Sequence, residues 1–250
     1  MEGPNRPTLI SSVRRALRLL EAAASHDNGA PAKQLAREAG LSLSTAYHLL
    51  RTLLHDGYLR RTPEGRYVLG DRVEALRETG RMHSLVRRVH PVLVALRDEL
   101  QVAAYLALYL DGEIRVVDIA DGPRTPRVDL WVGCEDSGHA TALGKCVLRQ
   151  LDPDGRRDYL SRHELHALTP NTVTRVDELL RRLDEPCGLT VELEEYAVGT
   201  ACAAVPVGDG AGPGALAVSF RPSELPRVRE SADRLRAAAE RVSRTLLLSR

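Results

Sequence analysis

The sequence predicts an α+β protein of two domains, and three observations carry the prediction. Helical periodicity with tight-turn punctuation fills the chain up to Gly70, an amphipathic stretch follows from Asp71, and from Val102 onward short strand-like runs alternate with further helical segments. The expected divisions are a first domain over 1–70, a linker helix over 71–83 and a second domain over 84–250. At 250 residues both domains can bury a core without disulfide staples.

In the first domain Ile10, Val13, Leu17 and Leu20 recur at three- and four-residue intervals, giving helix one an apolar face opposite Arg14, Arg15 and Arg18. Asp27-Asn28-Gly29 ends that helix, and Pro31 suits the first turn of helix two, where its missing N–H costs nothing. Gly40 supplies left-handed backbone for a tight corner, Leu41 plugs the corner and Ser42 caps helix three. On helix three Ala46, Leu49, Leu50 and Leu53 face the core. The opposite face presents Ser44, Thr45, Tyr47, His48 and Arg51, side chains able to reach base edges and phosphates in a major groove. After Gly57, residues 58–61 and 66–69 flank Thr62-Pro63-Glu64-Gly65, a sequence suited to a type I turn between two short strands. Helix, turn, helix and basic hairpin in this order make a winged helix-turn-helix. Residues 35–70 therefore predict a binder of double-stranded DNA, with Ser42 at the start of the reading helix and Arg60, Arg61 and Arg66 on a wing beside the backbone or minor groove.

Val73 and Leu76 mark a short helix after the wing, and Leu85, Val89, Val92, Leu93, Leu96 and Leu100 mark another, which Pro91 is expected to kink or restart. Strands are expected at 102–109, 114–119, 128–132, 189–193, 201–207 and 215–220, and helices at 139–150, 176–183 and 224–248. A mainly antiparallel sheet flanked by helices satisfies this series. HATALGK, over 139–145, sets small residues and backbone amides at a helix start, a geometry that accepts a carboxylate.

Net charge is +1, which argues against a nonspecific polyanion binder. The positive excess sits in the reading head, where twelve Lys and Arg face nine Asp and Glu up to Gly80. The apolar runs fall far short of the roughly 20 residues that span a bilayer, and the amino terminus lacks an export signal, so a cytoplasmic location is expected. Cys134, Cys146, Cys187 and Cys202 form no CxxC pair, which favours reduced thiols. His163-Glu164-Leu165-His166 and Glu194-Glu195 could serve a metal hydrolase, but the two His lack a third ligand at a known interval and are expected to be solvated polar groups. No phosphate loop, nucleophile elbow or cofactor fingerprint appears, so no catalytic residue, metal or cofactor is expected.

With these motifs in view, the chain resembles the IclR family of bacterial transcription regulators. The resemblance rests on SSVRRALRLLEA, LAREAGLSLSTAYHLLRTLLHDGYL with GRYVLG, HATALGKCVL, and EPCGLTVELEEYAVGTACAAVPV followed by GALAVSF, in the family's order over nearly the whole chain. It implies a GAF-like effector-binding fold for the second domain, with a pocket touched by Thr141, Ala142, Leu143, Glu192, Cys202, Ala217 and Ser219. Ala217 stands roughly where relatives carry a serine, which removes one hydroxyl. Leu43 and His48 stand where the family often has basic residues, so base preferences differ. The implied partners are a near-palindromic operator, a small organic acid, and further copies of the chain as a homodimer or dimer of dimers. The alternative is a DNA-binding regulator whose second domain is a ligand-free oligomerisation module.

Overall fold

The computed structural model describes residues 9–129, 133–208 and 212–248, and the chain divides into two compact units, 1–82 and 83–250. The first unit contains α1 (Ser11–Ala24), α2 (Ala32–Glu38), α3 (Leu43–His55) and a hairpin of β1 (Leu59–Arg61) and β2 (Tyr67–Leu69). Leu19, Leu35, Ala46, Leu50 and Leu59 are its fully enclosed centre. Gly40 adopts φ +66° at the corner between α2 and α3, a conformation that disfavours any Cβ. The hairpin pairs Leu59 with Leu69 and Arg61 with Tyr67, while Tyr67 also bridges Ala30. Gly29 is obligatory beneath that bridge. A Cβ there would sit 2.9 Å from the Tyr67 carbonyl oxygen and 2.5 Å from the Val68 side chain.

Helix one corrects an expectation. Its core contacts come from Leu19 and Ala23 with the expected Leu20 half-buried against them, whereas Ile10, Val13 and Leu17 are exposed, with Leu9 beside them. The helix has two apolar stripes, and among the described residues only the second is buried. Periodicity alone does not say which one meets the core.

Residues expected to form two helices, a short one with Val73 and Leu76 and another from Leu85 to Leu100 kinked or restarted at Pro91, form one, α4 (Asp71–Leu100). Proline inside a helix forfeits one hydrogen bond and costs about 3 kcal/mol. The buried stripe of Val89, Val92, Leu93, Leu96 and Leu100 outweighs that loss, at roughly 1.5–3 kcal/mol for each enclosed side chain.

The second unit is built on a five-stranded sheet in the order β4-β3-β7-β6-β5, every pairing antiparallel: β3 (Ala103–Leu110), β4 (Glu113–Ala120), β5 (Thr190–Leu193), β6 (Ala201–Val207) and β7 (Gly214–Phe220). This is the mixed helix and antiparallel-sheet architecture that the sequence predicts. Asp111 and Gly112, both at positive φ, turn β3 into β4. The short α5 (Gly133–Asp136) precedes α6 (Ala142–Gln150), which packs on the sheet face carrying Ala103, Ala107, Ala204, Ala215 and Ala217. Alanine paving lets that helix come close. So does Gly144, whose absent Cβ would stand 2.1 Å from the Gly138 carbonyl oxygen.

The remaining elements are α7 (Pro153–Arg162), α8 (Val176–Asp184), a single 3-10 turn (Pro222–Glu224), α9 (Leu225–Glu230) and α10 (Ala232–Leu247). Three expectations change. The 139–150 helix starts only at Ala142, the 224–248 helix breaks at Ser231, and residues 128 and 129 form no strand, the rest of that expected strand lying outside the described residues. α7 is not foreseen at all: Asp152 caps it through the Gly155 N–H and Pro153 opens it, but its Arg-rich body hides the period that Tyr159 alone anchors in the core. No helix among the described residues is long and apolar enough to cross a membrane.

Candidate nucleic-acid interface and ligand cavity

The reading helix begins at Ser42, whose hydroxyl accepts from the Thr45 N–H at 3.3 Å and lies 2.9 Å from the Thr45 hydroxyl. Ser42 and Thr45 are thus engaged in the cap. Ser44, Tyr47, His48 and Arg51 recur at the spacing of one helix face, and all four are exposed. No acidic residue interrupts that face. His48 and Arg51 lie 3.5 Å apart, Nδ1 to guanidinium.

On the wing, the three arginines separate into different jobs. Arg61 folds back, donating to the Gly65 carbonyl at 3.2 Å and lying 5.7 Å above the Tyr67 ring. Arg66 donates to the Gly29 carbonyl at 3.3 Å and ties the hairpin to the loop after helix one. Arg60 is exposed on β1 with no such tether among the described residues, so it is the freest of these three cations to meet a phosphate.

In the second unit the register puts Glu192, Cys202 and Ser219 in one row across β5, β6 and β7. They line a small cavity of about 30 Å³ together with Thr141 and Leu143 at the start of α6, and with Tyr105, Tyr196 and Thr200. Ala142 and Ala217 do not line it. Both are wholly buried in the packing between α6 and the sheet. Thr141 has two roles, since its hydroxyl caps α6 by accepting from the Gly144 N–H at 3.0 Å while its side chain also lines the cavity.

Glu192 is buried, and burial pushes its carboxyl up to about 7, against the lowering pull of the Glu195 N–H and of Lys145. The Glu195 N–H donates to Glu192 Oε2 at 2.9 Å. Beside it Lys145 and Glu195 form an enclosed ion pair at 2.5 Å, leaving Glu195 Oε2 buried without a partner. Burial lowers the Lys145 ammonium below its ordinary range despite that carboxylate. Across the cavity the Tyr105 hydroxyl accepts from the Val128 N–H at 2.8 Å and shares a 3.0 Å hydrogen bond with Ser219, and burial pushes its phenol up to about 12. The residues lining the cavity therefore bring to it one titratable carboxyl, five hydroxyls and a thiol.

Tyr105, Tyr196 and Thr200 escape sequence reasoning. Tyr105 sits on an expected strand, but its place depends on pairing with Ala217, more than 100 residues away in the chain, and no local period encodes that register.

The His163 region departs from expectation too. His163 is enclosed: it stacks on Tyr159 at 4.1 Å, its Nδ1 lies 2.8 Å from the Tyr159 carbonyl and its Nε2 lies 2.8 Å from Glu113. His166 is exposed, and its carbonyl meets His139. Glu194 accepts from the Gly199 N–H at 2.6 Å. Among the described residues no group of three His, Cys, Asp or Glu is placed to hold a metal.

Comparison with known proteins gives the same picture from a separate direction. The IclR helix-turn-helix domain matches residues 12–63, and the domain described as bacterial transcriptional regulator IclR C-terminal matches residues 78–244. The DNA-binding transcriptional repressor YiaJ of Escherichia coli is 28% identical over 255 residues, covering 96% of this chain and 89% of that protein. The crystal structure of the Thermotoga maritima IclR superposes with a TM-score of 0.60 at 24% identity, over 94% of this chain and 98% of that one. An IclR homolog from Microbacterium hydrocarbonoxydans, solved in complex with 4-hydroxybenzoate, superposes with a TM-score of 0.58 at 22% identity, over 94% and 99%. With both of its domains matched in order, the chain belongs to the IclR family of bacterial DNA-binding transcription regulators, a family of regulators and not of enzymes.

Proposed function

We propose that this regulator represses from a near-palindromic operator as a homodimer or dimer of dimers, and that a small organic acid in the Thr141–Glu192 cavity modulates its grip. The Glu192, Cys202 and Ser219 row, closed by the capped start of α6, carries the reading. A carboxylate ligand can face the Glu192 carboxyl without repulsion when that carboxyl holds its proton, and burial favours the protonated form near neutrality. The 4-hydroxybenzoate bound by the Microbacterium hydrocarbonoxydans homolog gives the class of acid to try first. On the reading head, Ser44, Tyr47, His48 and Arg51 are the base and phosphate contacts, supported by Arg60, with Ser42 and Thr45 holding the helix start and Arg61 and Arg66 holding the wing. The exposed stripe of Leu9, Ile10, Val13 and Leu17 is apolar enough to be covered by a second copy, as a two-fold operator requires. Coupling between acid and DNA then follows from linkage, each altering the other's affinity by the same factor.

One observation favours the alternative of a ligand-free oligomerisation module: a cavity of about 30 Å³ holds little more than one water, so an aromatic acid must push side chains aside. Thermal-shift titration with 4-hydroxybenzoate and related carboxylates separates the two. Saturable stabilisation that disappears in Glu192→Ala supports sensing, and silence across the series supports the module.

A further inference from the structure

A second cavity, larger and of different chemistry, opens beside the start of β5. Its volume is about 420 Å³, within the range of small-molecule sites. Arg149 from α6, Arg229 from α9 and Arg236 from α10 converge on it, and Thr190 and the exposed Cys187 complete its wall. None of the described residues lining it is acidic.

The three guanidinium groups are not equally occupied. Arg149 spends its terminal nitrogens on the carbonyls of Arg182, Leu183 and Glu185, each at 2.6 Å, which caps the end of α8, and its Nε is buried with no partner. Arg236 is aimed by Asp233 at 2.5 Å and by the Gly188 carbonyl at 3.3 Å. Arg229 makes no hydrogen bond or ion pair with any described residue, although it shares the cavity with two other cations. Asp233 offsets only one of the three like charges brought together here, so they repel one another until an anion joins them, and a guanidinium presents planar, paired donors suited to phosphate and carboxylate oxygens.

We infer that this cavity is a binding site for a compact anion carrying two or more negative charges, held by Arg229 and Arg236 with the Thr190 hydroxyl as a further donor. It is separate from the Thr141–Glu192 cavity, although Thr190 and Glu192 lie two residues apart on β5. A phosphate monoester and a tricarboxylate share the required chemistry.

Isothermal titration of the full chain at low salt with glycerol 3-phosphate and, separately, with citrate tests the site and distinguishes these sources. Saturable binding of either supports the inference, and the tighter probe identifies the anion class. Arg229→Gln is expected to weaken that binding by about 10-fold or more, since a charged hydrogen-bonding pair is lost. Arg229→Lys should fall between, and Glu192→Gln should leave the affinity unchanged. Occupancy should also slow alkylation of Cys187 by iodoacetamide. Arg229 has no hydrogen-bond or ion-pair partner among the described residues, so its variants should melt with the wild type. Failure of both probes to saturate below about 10 mM overturns the site, as does wild-type affinity in Arg229→Gln or loss of binding in Glu192→Gln.

Discussion

Helices α3 and α6 begin alike and end in opposite circumstances. Each is capped by a hydroxyl, Ser42 or Thr141, that accepts from the N–H three residues on. In α3 only Ala46, Leu50 and Leu53 are buried of its 13 residues, whereas in α6 the run from Ala142 to Leu148 is buried within a helix of 9, lysine included. The surroundings make the difference. α3 packs along one stripe and leaves a polar face in water, whereas α6 is laid onto an alanine-paved sheet across a glycine contact. A helix that reads DNA works through its exposed side chains. One that frames a ligand cavity works through close packing and its enclosed beginning, so equivalent damage should have different consequences.

The largest contrast is steric. Gly144→Ala places a methyl group 2.1 Å from a backbone oxygen of Gly138, which no rotamer can relieve. A loss of about 3 kcal/mol or more is expected in the second unit, read from its urea transition by circular dichroism. The exposed Ser44→Ala should cost under about 0.5 kcal/mol. Equal stability in the two variants would remove the claim that close packing distinguishes these helices.

Next comes the charge that α6 and β5 enclose. The folded state raises the Glu192 carboxyl from 4.5 to about 7, so it favours the protonated form. The resulting stability is fully present below about pH 4.5 and is lost as pH rises through about 7, a change on the order of 3 kcal/mol. Glu192→Gln should abolish this slope. The measurement is the difference in unfolding free energy between wild type and variant from pH 4 to pH 8, and a flat difference would show that burial does not perturb this group.

For α3, the expected effect is on binding and not on folding. Arg51→Ala should weaken a duplex selected by the wild-type protein from a randomised pool by about 10- to 100-fold, with an unchanged melting temperature. Arg60→Ala should weaken selected and unselected duplexes alike and lessen the salt dependence. Fluorescence anisotropy at two salt concentrations reads both, and wild-type affinity in Arg51→Ala would dissociate α3 from recognition.

The two helices also differ in how much the sequence reveals. Gly40, Ser42 and the Thr62–Gly65 turn are local signals, each fixing backbone within a few residues, and the reading head follows from them almost element by element. Its one misreading, the face of α1, arises because both stripes of that helix are apolar. The cavity is legible in its contributors from the α6 start and from β5, β6 and β7, but Tyr105 joins through a pairing with a distant strand, and Tyr196 and Thr200 lie in the irregular connection from β5 to β6, which carries no period. The Arg149–Arg229–Arg236 cavity leaves no local trace, since its cations come from three separate helices.

The smallest effect tests the caps themselves. Removing an N-cap hydroxyl costs about 1 kcal/mol where water can replace it, and more where the freed N–H is buried, since a buried donor left unsatisfied costs about 1–3 kcal/mol. The Ser42–Thr45 bond is exposed and the Thr141–Gly144 bond is buried. Ser42→Ala should therefore cost about 1 kcal/mol and Thr141→Ala about 2 kcal/mol, by urea unfolding with the transitions of the two units fitted separately. Thr141→Ser, which restores the hydroxyl, should recover most of the loss. If Ser42→Ala proved the costlier change, water would be reaching the start of α6, and a cavity roofed by that helix would be wetter than its packing implies.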